Sequence, residues 1–144
     1  MKSLEKQLIL ALSVIILTFS IIFYALPQLI PPVEYRIELQ SNYVENGKEV
    51  ILFYKITNNK NTPMENVTIV NLITTNLKSA KKEEIGTIQG RDSYSGYYQF
   101  NSSDLEIKQL GVSSTGKHTL FSTLMYNYQN ESKREELTLG FEVI

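Results

Sequence analysis

The sequence predicts an all-β domain, an antiparallel β-sandwich of immunoglobulin or fibronectin type III architecture with about seven strands, preceded by a single transmembrane helix. Three observations carry this reading. Residues 8–30 hold no charged side chain. From residue 33 onward, apolar and polar side chains alternate in short runs, the period of a half-buried strand. Clusters of Asn, Gly, Asp and Pro separate the runs, at a spacing that suits a sandwich.

The uncharged run, LILALSVIILTFSIIFYALPQLI, follows Lys2, Glu5 and Lys6 and precedes Pro31-Pro32. As a helix, residues 8–26 would rise about 28 Å, against roughly 30 Å for the hydrocarbon core of a bilayer. Pro27 is expected to end or kink it. No polar face recurs at helical period, which argues against an amphipathic core helix. A cleaved leader fits less well, because the best signal-peptidase candidate, Phe23-Tyr24-Ala25, has Phe where a small residue belongs. No Gly or Ala follows Lys6, as the leader of a type IV pilin would require.

The run therefore reads as an uncleaved signal anchor. Lys2, Lys6 and the α-amino group precede it, and Arg36 is the only basic residue in the fifteen that follow. This imbalance predicts a single-pass protein of the cell membrane, with residues 1–7 cytoplasmic, 8–30 spanning and 31–144 extracytoplasmic.

In the exterior part, Val33, Tyr35, Ile37 and Leu39 alternate with Glu34, Arg36, Glu38 and Gln40. Asn46-Gly47 makes a turn, and residues 48–57 follow with Val50, Leu52, Tyr54 and Ile56 in register. Ile51 and Phe53 make that strand apolar on its other side too, the mark of a central strand or one with both faces covered. Residues 58–63, NNKNTP, reverse the chain, and residues 67–75, VTIVNLITT, are a β-branched strand. The charged stretch 78–84 reads as a solvated hairpin tip before a short strand at 84–88 and a turn at 89–92. Residues 93–100 place Tyr94, Tyr98 and Phe100 on one face and Tyr97 on the other. Ser103-Asp104-Leu105-Glu106 has the form of a capping box, with Gly111 placed to stop a short helix. His118, Leu120, Ser122, Leu124 and Tyr126 share a strand face, as do Leu137, Leu139, Phe141 and Val143.

Composition excludes several classes of function. Without cysteine there is no disulfide, zinc–thiolate site, iron–sulfur cluster or thiol nucleophile. With 14 Lys+Arg against 15 Asp+Glu and no long basic run, nucleic acid is not an expected partner. His118 is the single histidine and reads as a packed core residue, since a general base needs partners that no motif supplies. Asp92, Asp104 and Glu106 lack the dense spacing of a calcium loop. No catalytic, cofactor-binding or metal-binding residue is therefore assigned.

Two blocks, Lys81-Lys82-Glu83-Glu84 and Lys133-Arg134-Glu135-Glu136, repeat a basic pair followed by an acidic pair, as at hairpin ends guarded against mispairing. Asn66, Asn101 and Asn130 head N-glycosylation sequons, the latter two expected in loops and Asn66 at a strand start.

The order VILFYKITNNKNTPMENVTIVNL, IGTIQGRDSYSGYYQF, TGKHTLFSTLMYNY resembles the CARDB-type and related surface-layer-associated domains of archaeal exterior proteins. Residues 50–59, 66–70, 85–90 and 116–126 stand at the matching places. His118 departs from the pattern, standing where an aromatic is usual, and no Pro precedes Gly90. The resemblance implies an exterior adhesive, spacer or assembly module without catalysis, and the motifs are those of a sandwich, not of an activity.

The function expected is a non-catalytic, membrane-anchored extracytoplasmic binding or scaffold module in a cell-surface assembly. Its partners would be the membrane and other exterior or membrane proteins, further copies of the chain (a homo-oligomer) included. One alternative, on architecture alone, is similar to the archaellum stator subunits that grip the surface layer; another is a pilin-like filament subunit, if the leader is cleaved. The expected contact face is Ile51, Phe53 and Tyr97, rimmed by Arg36 and Glu38.

Overall fold

The structure is a computed structural model; it describes residues 2–73, 76–107 and 110–144, with the side chains of residues 2–6, 8–10, 23, 25–29 and 76–79 outside the described set. Contacts divide the chain into two units, residues 1–32 and Val33–Ile144.

The first unit is one helix, α1, Lys2–Leu29. It passes through Pro27 and ends two residues later, so the proline falls in the last turn. Leu12, Ile16, Leu17, Phe19 and Ile21 are exposed, with no apolar face buried among them. Among the described residues no helix is long and apolar enough to cross a membrane. The span expected over residues 8–30 runs at both ends into side chains outside the described set.

The second unit is a β-sandwich of two sheets. Its strands are β1 (Val33–Leu39), β2 (Tyr43–Val44), β3 (Glu49–Asn58), β4 (Met64–Ile73), β5 (Asn76–Ile88), β6 (Ser93–Asn101), β7 (Gly116–Tyr128) and β8 (Glu131–Val143). One sheet has the order β1-β3-β6 and the other β2-β8-β7-β4-β5. All pairs are antiparallel except β2 with β8. The two-residue β2, which brings the strands among the described residues to eight, was not legible as a strand because it is too short to alternate.

Core residues of β3 and β7 come from the predicted faces, and β4 adds a face that alternation had not assigned. Leu52 and Ile56 of β3, Ile69 and Ile73 of β4, and Leu120 and Leu124 of β7 are fully buried. Burying a side chain of this kind contributes about 1.5–3 kcal/mol.

Three local expectations are corrected. The charged stretch 78–84 is no hairpin tip, because β5 runs without a break from Asn76 to Ile88. As a sheet edge it can carry charge on the side that no strand covers. The block 133–136 likewise lies in β8, beyond a tight turn at Gln129 and Asn130, both at positive φ (51° and 64°). The short helix is a 3₁₀ turn, Ser102–Leu105, capped by Asn101, whose side chain accepts from the Ser103 amide. Ser103 does not cap it; its hydroxyl donates to Asn101 Oδ1 at 2.7 Å.

Two turns lock one end of the sandwich. Asn58, fully buried, donates to the carbonyls of Thr62 at 2.8 Å and Gln89 at 3.1 Å and accepts from the Lys60 amide. Gly90 packs so closely there that a Cβ would lie 2.1 Å from the Asn61 carbonyl oxygen. The NNKNTP turn and the glycine turn are thus one interlocked unit.

Candidate functional site

The outward face of the three-stranded sheet brings the expected contact residues together. Register sets Phe53 on β3 directly between Glu38 on β1 and Tyr97 on β6. Ile51, two residues along β3, faces Gln99. Phe53 and Tyr97 are 47% and 59% exposed, and Ile51 is half-buried. Arg36 sits two residues along β1 from Glu38, opposite Lys55, with its Nε donating to Glu34 Oε1 at 2.7 Å. Glu38 therefore borders the aromatic pair directly, whereas Arg36 is held by its neighbour on the strand.

The outward face of the five-stranded sheet carries a second apolar group, which was not singled out from sequence. Val70 and Leu72 on β4 and Phe121 and Met125 on β7 line a shallow groove of about 420 Å³, edged by Arg134 and Glu136. All four apolar residues are half-buried. The signal was present: both strands are apolar in the outward as well as the inward register, the same pattern that marked Ile51 and Phe53.

Between the sheets lies a polar bridge. Tyr35 Oη and Ser122 Oγ are 2.5 Å apart, and Ser122 donates in turn to Asn71 Oδ1. With its own proton committed to Asn71, Ser122 accepts from the phenol. Burial pushes the Tyr35 phenol up to about 12; the Ser122 hydrogen bond opposes the shift and the Glu135 charge adds to it. Burial also raises Tyr126, which donates to Glu135 Oε1 at 3.0 Å, and Tyr98, where the Asp104 charge contributes. Tyr54 is raised by burial and then by Glu83. Such phenols stay protonated at neutral pH, and Tyr35 joins the two sheets through Ser122.

His118 is a core residue. It is 4% exposed, its Nε2 lies 2.8 Å from the Ser114 carbonyl oxygen, and its ring stacks on Phe141 at 5.4 Å. The imidazole thus occupies the aromatic's place with an aromatic's packing. Among the described residues no group of three His, Asp or Glu is placed to hold a metal ion.

The three sequons differ. Asn130 is exposed at the β7–β8 turn. Asn66 is not at the start of a strand but at an irregularity inside β4, exposed, with φ 52°. Asn101 is not in a loop: it ends β6, caps the 3₁₀ turn, and its Nδ2 donates to the Gly47 carbonyl at 3.1 Å.

No protein-family model and no curated protein matches the chain. Solved structures do. The CARDB domain of a Pyrococcus furiosus protein, crystallised in complex with di-metal ions, is similar over 81% of this chain and 90% of its own, with 10% identity and TM-score 0.55. The solution structure of that domain matches over 80% and 96%, with 11% identity and TM-score 0.57. Red sea bream transglutaminase matches over 80% of this chain and 15% of its own, with 12% identity and TM-score 0.53. The fold is therefore a CARDB-like, immunoglobulin-like β-sandwich.

Proposed function

We propose that the chain is a non-catalytic, extracytoplasmic binding or scaffold module, held at the cell membrane by residues 8–30 and contacting its partner through Phe53, Tyr97 and Ile51. The observation that carries this is the cross-strand pair Phe53–Tyr97, two large rings exposed side by side on a narrow sheet. Grouped exposed aromatics are typical of contact surfaces, where such residues supply most of the binding energy. The anchor rests on the 23 uncharged residues of the run and on the apolar side chains that α1 exposes.

The test is capture of the partner by the full chain from native membranes. Phe53→Asp should abolish capture while moving stability by no more than about 0.5 kcal/mol, as surface changes usually do. Undiminished capture would remove the contact face, and an unfolded variant would make Phe53 a core residue. Release of the full chain from membranes by alkaline carbonate would remove the anchor and leave the contact face standing.

A further inference from the structure

Strands at sheet edges offer unpaired backbone groups to other chains, and proteins usually blunt them with charge, shortness or irregularity. Four strands end the two sheets here. β1 carries Glu34, Arg36 and Glu38. β2 has two residues. β5 carries Lys81, Lys82, Glu83 and Glu84, with irregular pairing and Gly86 at φ 91°. β6, SYSGYYQFN, has none of these devices: nine residues, no charge, no proline, and regular pairing along its whole length with β3.

We propose that β6 is a strand-pairing edge and that its occupant is a second copy of the chain, antiparallel, about a two-fold axis at Tyr97. This deepens the reading above, since Tyr97 belongs to the proposed contact face. The second copy is favoured by the strand's match to itself. Tyr97 is the middle residue of β6, so pairing about it uses the full strand. On the outward face Tyr97 meets its own copy, Ser95 meets Gln99 and Ser93 meets Asn101. On the inward face Tyr94 meets Phe100, and Gly96, over which the Tyr54 ring of the same chain already lies, meets Tyr98. Aromatic pairs stabilise adjoining strands, and no charge opposes a like charge. The two sheets would become one of six strands, in which the Phe53–Tyr97 pairs of both copies form one continuous apolar band. The symmetry closes as a dimer.

The absence of native cysteine gives a direct test on the full chain in mild detergent. Directly opposed residues of antiparallel strands have Cα atoms about 4.5–5.5 Å apart, within disulfide range. Tyr97→Cys should therefore form a disulfide-linked dimer under mild oxidation at least about tenfold faster than Thr123→Cys, which lies on the other sheet; equal rates would overturn the proposal. A charge exchange checks the register. Ser95→Glu with Gln99→Glu opposes like charges across the axis and should weaken self-association about tenfold, whereas Ser95→Glu with Gln99→Lys should restore it. If both pairs weaken it equally while far-ultraviolet circular dichroism shows folded protein, β6 is not the interface. Failure here with Phe53→Asp still abolishing partner capture would sink the dimer alone; intact dimer with undiminished capture would sink the contact face alone.

Discussion

The two outward faces of the sandwich are both apolar at their centres, yet only one leaves its large side chains in water. In the three-stranded sheet Phe53 and Tyr97 are 47% and 59% exposed. In the five-stranded sheet Phe121, Met125, Val70 and Leu72 are half-buried. Neighbouring side chains account for the difference. β4 and β7 both have a strand on each side, so long side chains such as Arg134, opposite Met125, and Glu136, opposite Thr123, edge the groove. In the narrow sheet only β3 is flanked on both sides, and Phe53 has Glu38 and the open edge strand β6 as neighbours. The flanking side chains thus set the exposure: Arg134 and Glu136 edge the groove, whereas Phe53 lies between Glu38 and an exposed Tyr97.

Substitutions at graded depth should reproduce this order. Leu124→Asp, at a fully buried site between the sheets, should cost more than about 4 kcal/mol and unfold the domain, as read by chemical denaturation. Gly96→Ala comes next. Its Cβ would lie 2.2 Å from Tyr54 Oη, so Tyr54 must move, at a cost of about 1–3 kcal/mol by the same measurement. Phe121→Asp, in the half-buried groove, should cost about 1–2 kcal/mol and Phe53→Asp under about 0.5 kcal/mol. Equal losses for the last pair would mean that the two faces are equally covered.

Tyr35, bonded across the sheets to Ser122, gives the core a pH signature. Tyr35 titrates at about 12 in the folded protein, above its ordinary value. The native state therefore holds its proton where the unfolded chain has lost it. The resulting stability is complete below the ordinary tyrosine range and declines as pH rises from about 10 to about 12. Melting temperature should fall across that window, and Tyr35→Phe should lessen the fall.

The sequons give a further check, with Asn130 the position of smallest effect. If the chain is N-glycosylated, Asn130→Gln should remove a mass step at no cost in stability. Asn101→Gln should remove none and should cost about 1 kcal/mol, because it loses a cap. A glycan found on Asn101 would mean that the end of β6 opens in the native protein.

Much of the fold was legible in the chain itself, because alternation of side chains is a property of neighbouring residues. The core face of β3, the buried run from His118 to Tyr126 and the outward placement of Phe53 and Tyr97 all follow from register within a strand. The turn at Asn46-Gly47 was legible for the same reason: Gly47 takes the positive φ that few other residues tolerate. Order between strands depends on distant partners, and there local reading ended. Nothing in KKEE distinguishes a hairpin tip from an edge strand, because solvent reaches both. Only the sheet order makes β5 and β6 edges, adds β2 beside β8, and sets Asn61 against Gly90. Only the packing of one sheet on the other brings Tyr35 within hydrogen-bonding reach of Ser122, which faces Asn71 across its own sheet. These are contacts across tens of residues, decided by how two sheets share one core.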